Sequence, residues 1–203
     1  MVKITWFLIL IHYLGVNHLA NLTAIILAAG EGKRIGQTKW NLLLNGKTFL
    51  DIIVEKLIAV SIKDVVCVVR QDSFPQDTRI NFTVNNKPEC GMFSSIYCGV
   101  QKNLQALGYM IFPVDHPLVA IKTLDKLYAT FVANRHKVIC PSFQQKLGHP
   151  VIIPNHLAKK ITFSDYPGGL RKFLLDQSSI IYKTEVNDEN ILCNINTRSD
   201  IKD

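Results

Sequence analysis

From Thr23 onward, short unbroken apolar runs alternate with longer stretches in which apolar residues recur every three or four positions. Runs of the first kind suit strands covered on both faces, and the second kind suits amphipathic helices. The first predicted strand covers residues 23–27 (T-A-I-I-L), and Gly30, Gly32 and Gly36 then open a loop rich in Lys and Arg. Residues 48–60 place Leu50, Ile53, Val54, Leu57 and Ile58 on one helical face. Further strands are predicted at 65–69, more weakly at 80–84, and at 109–112, 138–140, 151–153 and 180–183. Helices are predicted at 91–107, with Ile96, Val100, Leu104 and Leu107 on the inner stripe, at 121–134 and at 169–175; a last short strand and turn fall near 191–200. This alternation predicts an α/β domain of three layers, α/β/α, around a mostly parallel, Rossmann-like central sheet. No internal repeat, low-complexity tract or linker interrupts it, so one domain is expected over residues 22–203.

Residues 1–21 stand apart as an apolar N-terminal extension. The run at 6–14 is shorter than the roughly 20 apolar residues of a membrane span, and His18 occupies the position where a cleavage site needs a small residue. No membrane partner is expected. The triplet Asn21-Leu22-Thr23 abuts a buried-strand pattern and reads as a chance glycosylation match. With 203 residues, 48% of them hydrophobic, the chain is large enough to bury a core. Five cysteines form no C-x-x-C pair, which argues against a disulfide framework or a zinc site and for a reducing, cytoplasmic compartment. The formal charge of +7 fits an anionic partner. Nucleic acid is not expected, because no aromatic and basic platform or helix-turn-helix pattern accompanies the charge.

The candidate chemistry begins where open α/β sheets bind ligands, just past the carboxyl end of a strand. Leu27, Ala28, Ala29, Gly30, Gly32 and Gly36 supply small residues that let backbone approach phosphate oxygens, while Arg34 and Lys39 supply charge. Neither the Walker A nor the G-x-G-x-x-G spacing is met. Asp115 follows a buried strand and precedes a helix-breaking proline pair of positions, His116-Pro117, which leaves a carboxylate at a strand end.

The segment L-A-A-G-E-G-K-R-I-G-Q-T-K, residues 27–39, resembles the L-A-A-G-x-x-x-R-M-G-x-x-K signature of nucleotidyltransferases of GT-A-like fold, in particular the molybdenum cofactor nucleotidyltransferase family. Five more segments resemble that family's motifs in order: G-M-F-S-S-I from Gly91, D-H-P from Asp115, G-H-P-V from Gly148, G-L-R from Gly169 and N-I-N-T-R-S-D from Asn194. Ala29 favours the cytidylyltransferase branch, whereas the N-I-N-T ending is more like the guanosine-transferring one.

The resemblance implies transfer of a nucleoside monophosphate from an NTP, CTP favoured, to the phosphate of molybdopterin, with release of pyrophosphate and Mg²⁺ as cofactor. It implies that Lys39 stabilises charge on the α-phosphate, that Arg34 holds the outer phosphates, and that Asp115 and Asn194 hold the metal. It places Gly91, Ser94 and Ser95 at the ribose or base, and His149 and Arg171 at the acceptor. A transient contact with a molybdoenzyme would follow. Pro167 and Gly168 stand where the family carries an acidic or polar residue, which leaves GTP, or a sugar, methylerythritol or cobinamide phosphate acceptor, as alternatives beside a non-catalytic nucleotide-binding cofactor chaperone.

Overall fold

A computed structural model of the chain describes residues 21–30, 38–72, 74–164, 166–176, 181–195 and 200. The N-terminal extension up to residue 20, together with Gly32, Arg34 and Gly36, lies outside the described residues.

In chain order the elements are β1 (Leu22–Leu27), a small hairpin of β2 (Leu43–Leu44) and β3 (Lys47–Thr48), α1 (Phe49–Ala59), β4 (Asp64–Val69), β5 (Asn81–Val84) and α2 (Gly91–Val100). There follow β6 (Gly108–Pro113), α3 (Ile121–Ala133), β7 (Val138–Phe143), β8 (Lys146–Leu147), β9 (Val151–Pro154), α4 (Asn155–Ala158), α5 (Gly169–Asp176) and β10 (Ile181–Glu185). The strands form one sheet in the order β10-β7-β9-β6-β1-β4-β5, with β8 paired to β7. Pairing is parallel from β6 through β1 and β4 to β5, and between β7 and β10; β9 runs against both its neighbours. The mostly parallel α/β sheet expected from the apolar runs is therefore present, with one reversed strand inside it.

The two-residue period of the strands sorts their side chains into two cores. Ala24, Ile26, Cys67, Met110 and Phe112 face α1 and α3, meeting Phe49, Ile53, Leu57, Leu124 and Phe131. Ile25, Val68, Tyr109, Ile111 and Ile153 face α2, α4 and α5, meeting Phe93, Ile96, Leu157, Leu170 and Phe173. Each such Ile, Leu or Phe contributes about 1.5–3 kcal/mol relative to exposure. The helix over β1 lies so close that a Cβ on Gly99 would collide with the Ile25 side chain.

Three local expectations are corrected. The helix predicted over 91–107 stops at Val100, and Leu104 and Leu107 are 42% and 40% exposed rather than on an inner stripe. The Asn103 amide reaches Asp64 Oδ2 at 2.6 Å and Thr23 Oγ1 at 3.1 Å, so the chain leaves the helix to satisfy a tertiary contact. Ile58, placed on the inner face of α1, is 45% exposed. In place of the short strand near 191, Glu189–Leu192 form a 3-10 turn started by the Asp188 side chain. No described helix is long and apolar enough to cross a membrane.

Candidate active site

The parallel strands all end at one edge of the sheet, and β1 sits where the chain reverses its direction of travel across it: β4 and β5 lie to one side and β6 to the other. Such a switch point leaves a crevice at the carboxyl ends. Leu27 pairs with Pro113 there, and Val114 N–H donates to Leu27 C=O at 3.2 Å. Because β9 is antiparallel, its start, not its end, lies at this edge, so Gly148 and His149 arrive beside Asp115. A Cβ on Gly148 would collide with the Ile191 carbonyl, and His149 N–H donates to that carbonyl at 2.9 Å. The C-terminal segment is thereby drawn in, and Ile195 N–H donates to the Asp115 carbonyl at 2.8 Å.

The result is a cleft of about 300 Å³ lined by Asp115, His116, His149 and Asn194, with Met92, Leu147, Ile191 and Leu192 as apolar walls. Lys39 Nζ meets Asp115 Oδ2 at 2.8 Å, joining motifs 76 residues apart. Lys39 is carried by a 3-10 turn, Lys39–Asn41, that Trp40 and Leu42 anchor in the core beneath α1. The other carboxylate oxygen accepts from His116 Nδ1 at 2.9 Å. Burial by itself raises the Asp115 carboxyl, but the hydrogen bonds and charges of His116 and Lys39 outweigh it and hold it at about 2. The His149 ring meets His116 edge-on, 5.1 Å between centroids. Burial, aided by His116 and opposed by Asp115, holds the His149 imidazole down at about 4, and its buried Nδ1 has no protein hydrogen-bond partner. A buried ring nitrogen without a partner beside a cleft is a group that a ligand can satisfy.

Other predicted residues fall differently. Ala28 and Ala29 are buried, one in each core, and Gly30 is exposed with open space where a Cβ would sit. Gly91 opens α2 with φ of 79°, a left-handed conformation that favours glycine. Ser94 is fully buried: its hydroxyl donates to the Gly91 carbonyl at 2.8 Å and accepts from Asn85 Nδ2 at 2.8 Å. Ser95 accepts from the same amide at 3.0 Å. In this structure both serines fix the first turn of α2 and neither lines the cleft. Arg171 is exposed on the first turn of α5 and is not among the lining residues. His116, Asn85 and the apolar walls were not singled out from sequence. His116 alone left a signal there, as an imidazole directly after the strand-end aspartate.

Asp115 and Asn194 are the residues that could hold a divalent ion. Among the described residues no three His, Cys, Asp or Glu side chains cluster. One carboxylate and one amide oxygen are hard donors that suit Mg²⁺, an ion that takes few protein ligands and completes its shell with phosphate oxygens and water. The donor set fits an ion that arrives with a triphosphate.

Residues 24–180 match the family described as the MobA-like NTP transferase domain. A probable molybdenum cofactor guanylyltransferase of Methanosarcina acetivorans is 27% identical over 135 residues, 61% of this chain and 58% of that protein. A 2-C-methyl-D-erythritol 4-phosphate cytidylyltransferase of Aliivibrio fischeri is 32% identical over 117 residues, 53% of this chain and 49% of that protein. The matches thus span about half the length of these curated relatives. A solved nucleotidyl transferase of Methanothermobacter thermautotrophicus superposes with a TM-score of 0.73 at 19% identity, covering 88% of this chain and 93% of the other, and so shares its fold.

Proposed function

The chain belongs to the MobA-like NTP transferase family, and from that premise we propose that it transfers a nucleoside monophosphate, CMP in first place, from an NTP to the phosphate of molybdopterin, releasing pyrophosphate. The observation that carries this reading is the Lys39–Asp115 contact at 2.8 Å in a cleft shared with His149 and Asn194. In-line attack on the α-phosphorus asks the protein for position and positive charge, with little covalent chemistry of its own. Asp115 and Asn194 would hold Mg²⁺, which when bound neutralises phosphate charge. Lys39 then turns its ammonium from the carboxylate toward the α-phosphate. Arg34 would hold the β and γ phosphates, Gly30 and Gly91 give the nucleotide close access to backbone, and the His149 Nδ1 is offered to the acceptor. Arg171 would meet the acceptor phosphate only from the rim, and a molybdoenzyme would receive the product.

The test is pyrophosphate release by the purified protein with each NTP, Mg²⁺ and molybdopterin. Release with CTP supports the reading; release with GTP alone moves it to the guanylyl branch, the name carried by the Methanosarcina relative. The relative from Aliivibrio favours a second reading, in which the acceptor is a methylerythritol phosphate. Release with that acceptor and none with molybdopterin would replace the first reading by the second. Nucleotide binding without release from any pair would leave a cofactor-binding module.

A further inference from the structure

Asp188 lies outside the cleft and is buried, yet it ties together the two chain segments that carry Asp115 and Asn194. Its Oδ2 accepts from Ala120 N–H at 2.9 Å and from the Thr123 hydroxyl at 2.7 Å. Its Oδ1 accepts from Asn190 N–H at 3.2 Å and from the Asn190 amide at 3.1 Å. A carboxylate offers about four acceptor positions, and all are used. The first pair of bonds caps α3 from a distance, because Ala120 has no side-chain acceptor for the helix's free N–H groups. The second pair sets the 3-10 turn at Glu189–Leu192.

Lys56 grips the same loop from the other side. From α1 its ammonium donates to the carbonyls of Pro117 at 2.5 Å and Val119 at 2.8 Å. The loop after Asp115 is therefore held by its carbonyls through Lys56 and by its next N–H through Asp188. The far end of the turn supplies the Ile191 carbonyl to His149 N–H, and three residues later Ile195 N–H closes on the Asp115 carbonyl.

We propose that Asp188, backed by Lys56, is a positioning residue that sets the separation of Asp115 and Asn194, and so the affinity of the site for a divalent ion. The inference rests on the reading of Asp115 and Asn194 as the metal-holding pair. An amide in place of the carboxylate offers one oxygen and one NH₂ group, so D188N keeps one pair of bonds and sets donor against donor in the other. The experiment measures Mn²⁺ binding to the nucleotide-free protein and amide hydrogen exchange on the same samples. D188N is expected to weaken Mn²⁺ about tenfold, the usual scale for a group that orients metal ligands. It should also speed exchange at the His149 and Ile195 amides, while exchange in β1 and β4 and the melting temperature stay close to wild type. T123V breaks the α3 pair and N190A the turn pair, and each should give a smaller loss in the same direction; these carry the test should D188N not fold. Unchanged Mn²⁺ affinity and unchanged exchange at His149 and Ile195 in the folded variants overturn the proposal. Wild-type protein that binds no Mn²⁺ overturns the metal reading instead, and the exchange data still decide whether Asp188 couples the two segments.

Discussion

The sheet carries a polar cluster at each end of the same strands, and the two clusters differ in how completely they satisfy themselves. At the amino edge, Thr23 Oγ1 and the Asn103 amide donate to Asp64, Tyr109 OH donates to the Asn103 carbonyl at 2.8 Å, and the Asn155 amide reaches Ala106 C=O at 2.6 Å and Tyr109 OH at 3.3 Å. That network closes on itself, joining β1, β4, β6, the end of α2 and the start of α4. At the carboxyl edge, Asp115 binds Lys39 and His116, but His149 Nδ1 is left without a protein partner and the group opens onto a cleft. Both ends contain a strand-end aspartate, so residue type does not separate them. The closed cluster spends its hydrogen bonds on the fold; the open one keeps capacity for a ligand.

Substitutions at the two edges should therefore separate activity from stability. The largest effect is expected from D115N, which removes charge at the carboxyl edge: kcat/KM for pyrophosphate release should fall about 10³-fold, near 4 kcal/mol of transition-state stabilisation, with the melting temperature little changed. A loss under tenfold would break the assignment of Asp115. At the amino edge the pattern inverts. D64A strands the Thr23 hydroxyl and the Asn103 amide, and chemical denaturation should show a loss of roughly 2–3 kcal/mol while kcat of the remaining folded protein is unchanged.

S94A sharpens the contrast inside one motif. A serine that fixes the start of α2 costs about 1 kcal/mol of stability when removed and leaves the KM for nucleotide alone; a KM raised tenfold without a stability change would return Ser94 to the binding surface. The smallest effect concerns His149. Its folded-state pKa of about 4 lies below the ordinary histidine value of 6.5, so between these values the unfolded chain binds the proton that the folded one refuses. Stability then falls as pH drops through that window, by at most about 1.4 kcal/mol per pH unit. H149Q should remove that component of the slope, and an unchanged profile in urea titrations from pH 7 to 4 would count against a buried neutral imidazole.

Much of this was legible in the chain. Unbroken apolar runs such as V-V-C-V-V gave β4 because a strand covered on both faces has no polar side to declare. Small residues after β1 and an aspartate after β6 marked the ligand edge, since strand ends in such sheets are where loops are free to bind. Helix ends were less legible. The end of α2 depends on Asn103 finding Asp64, 39 residues away, and no local period contains that contact.

Arg171 and Ser94 show the same limit at the site. Motif order names them together with Asp115, but one is exposed on α5 and the other is locked beneath Asn85. The sequence by itself determined which residues become strands, which faces of them are apolar and which polar residues fall at strand ends, because burial and periodicity are local properties of the chain. Tertiary structure alone decided that β9 enters the sheet reversed, that His149 consequently stands beside Asp115, and that Asp188 holds Asn190 and α3 at once. Those outcomes depend on contacts between segments far apart in sequence, whose donors and acceptors find one another only when the sheet has formed.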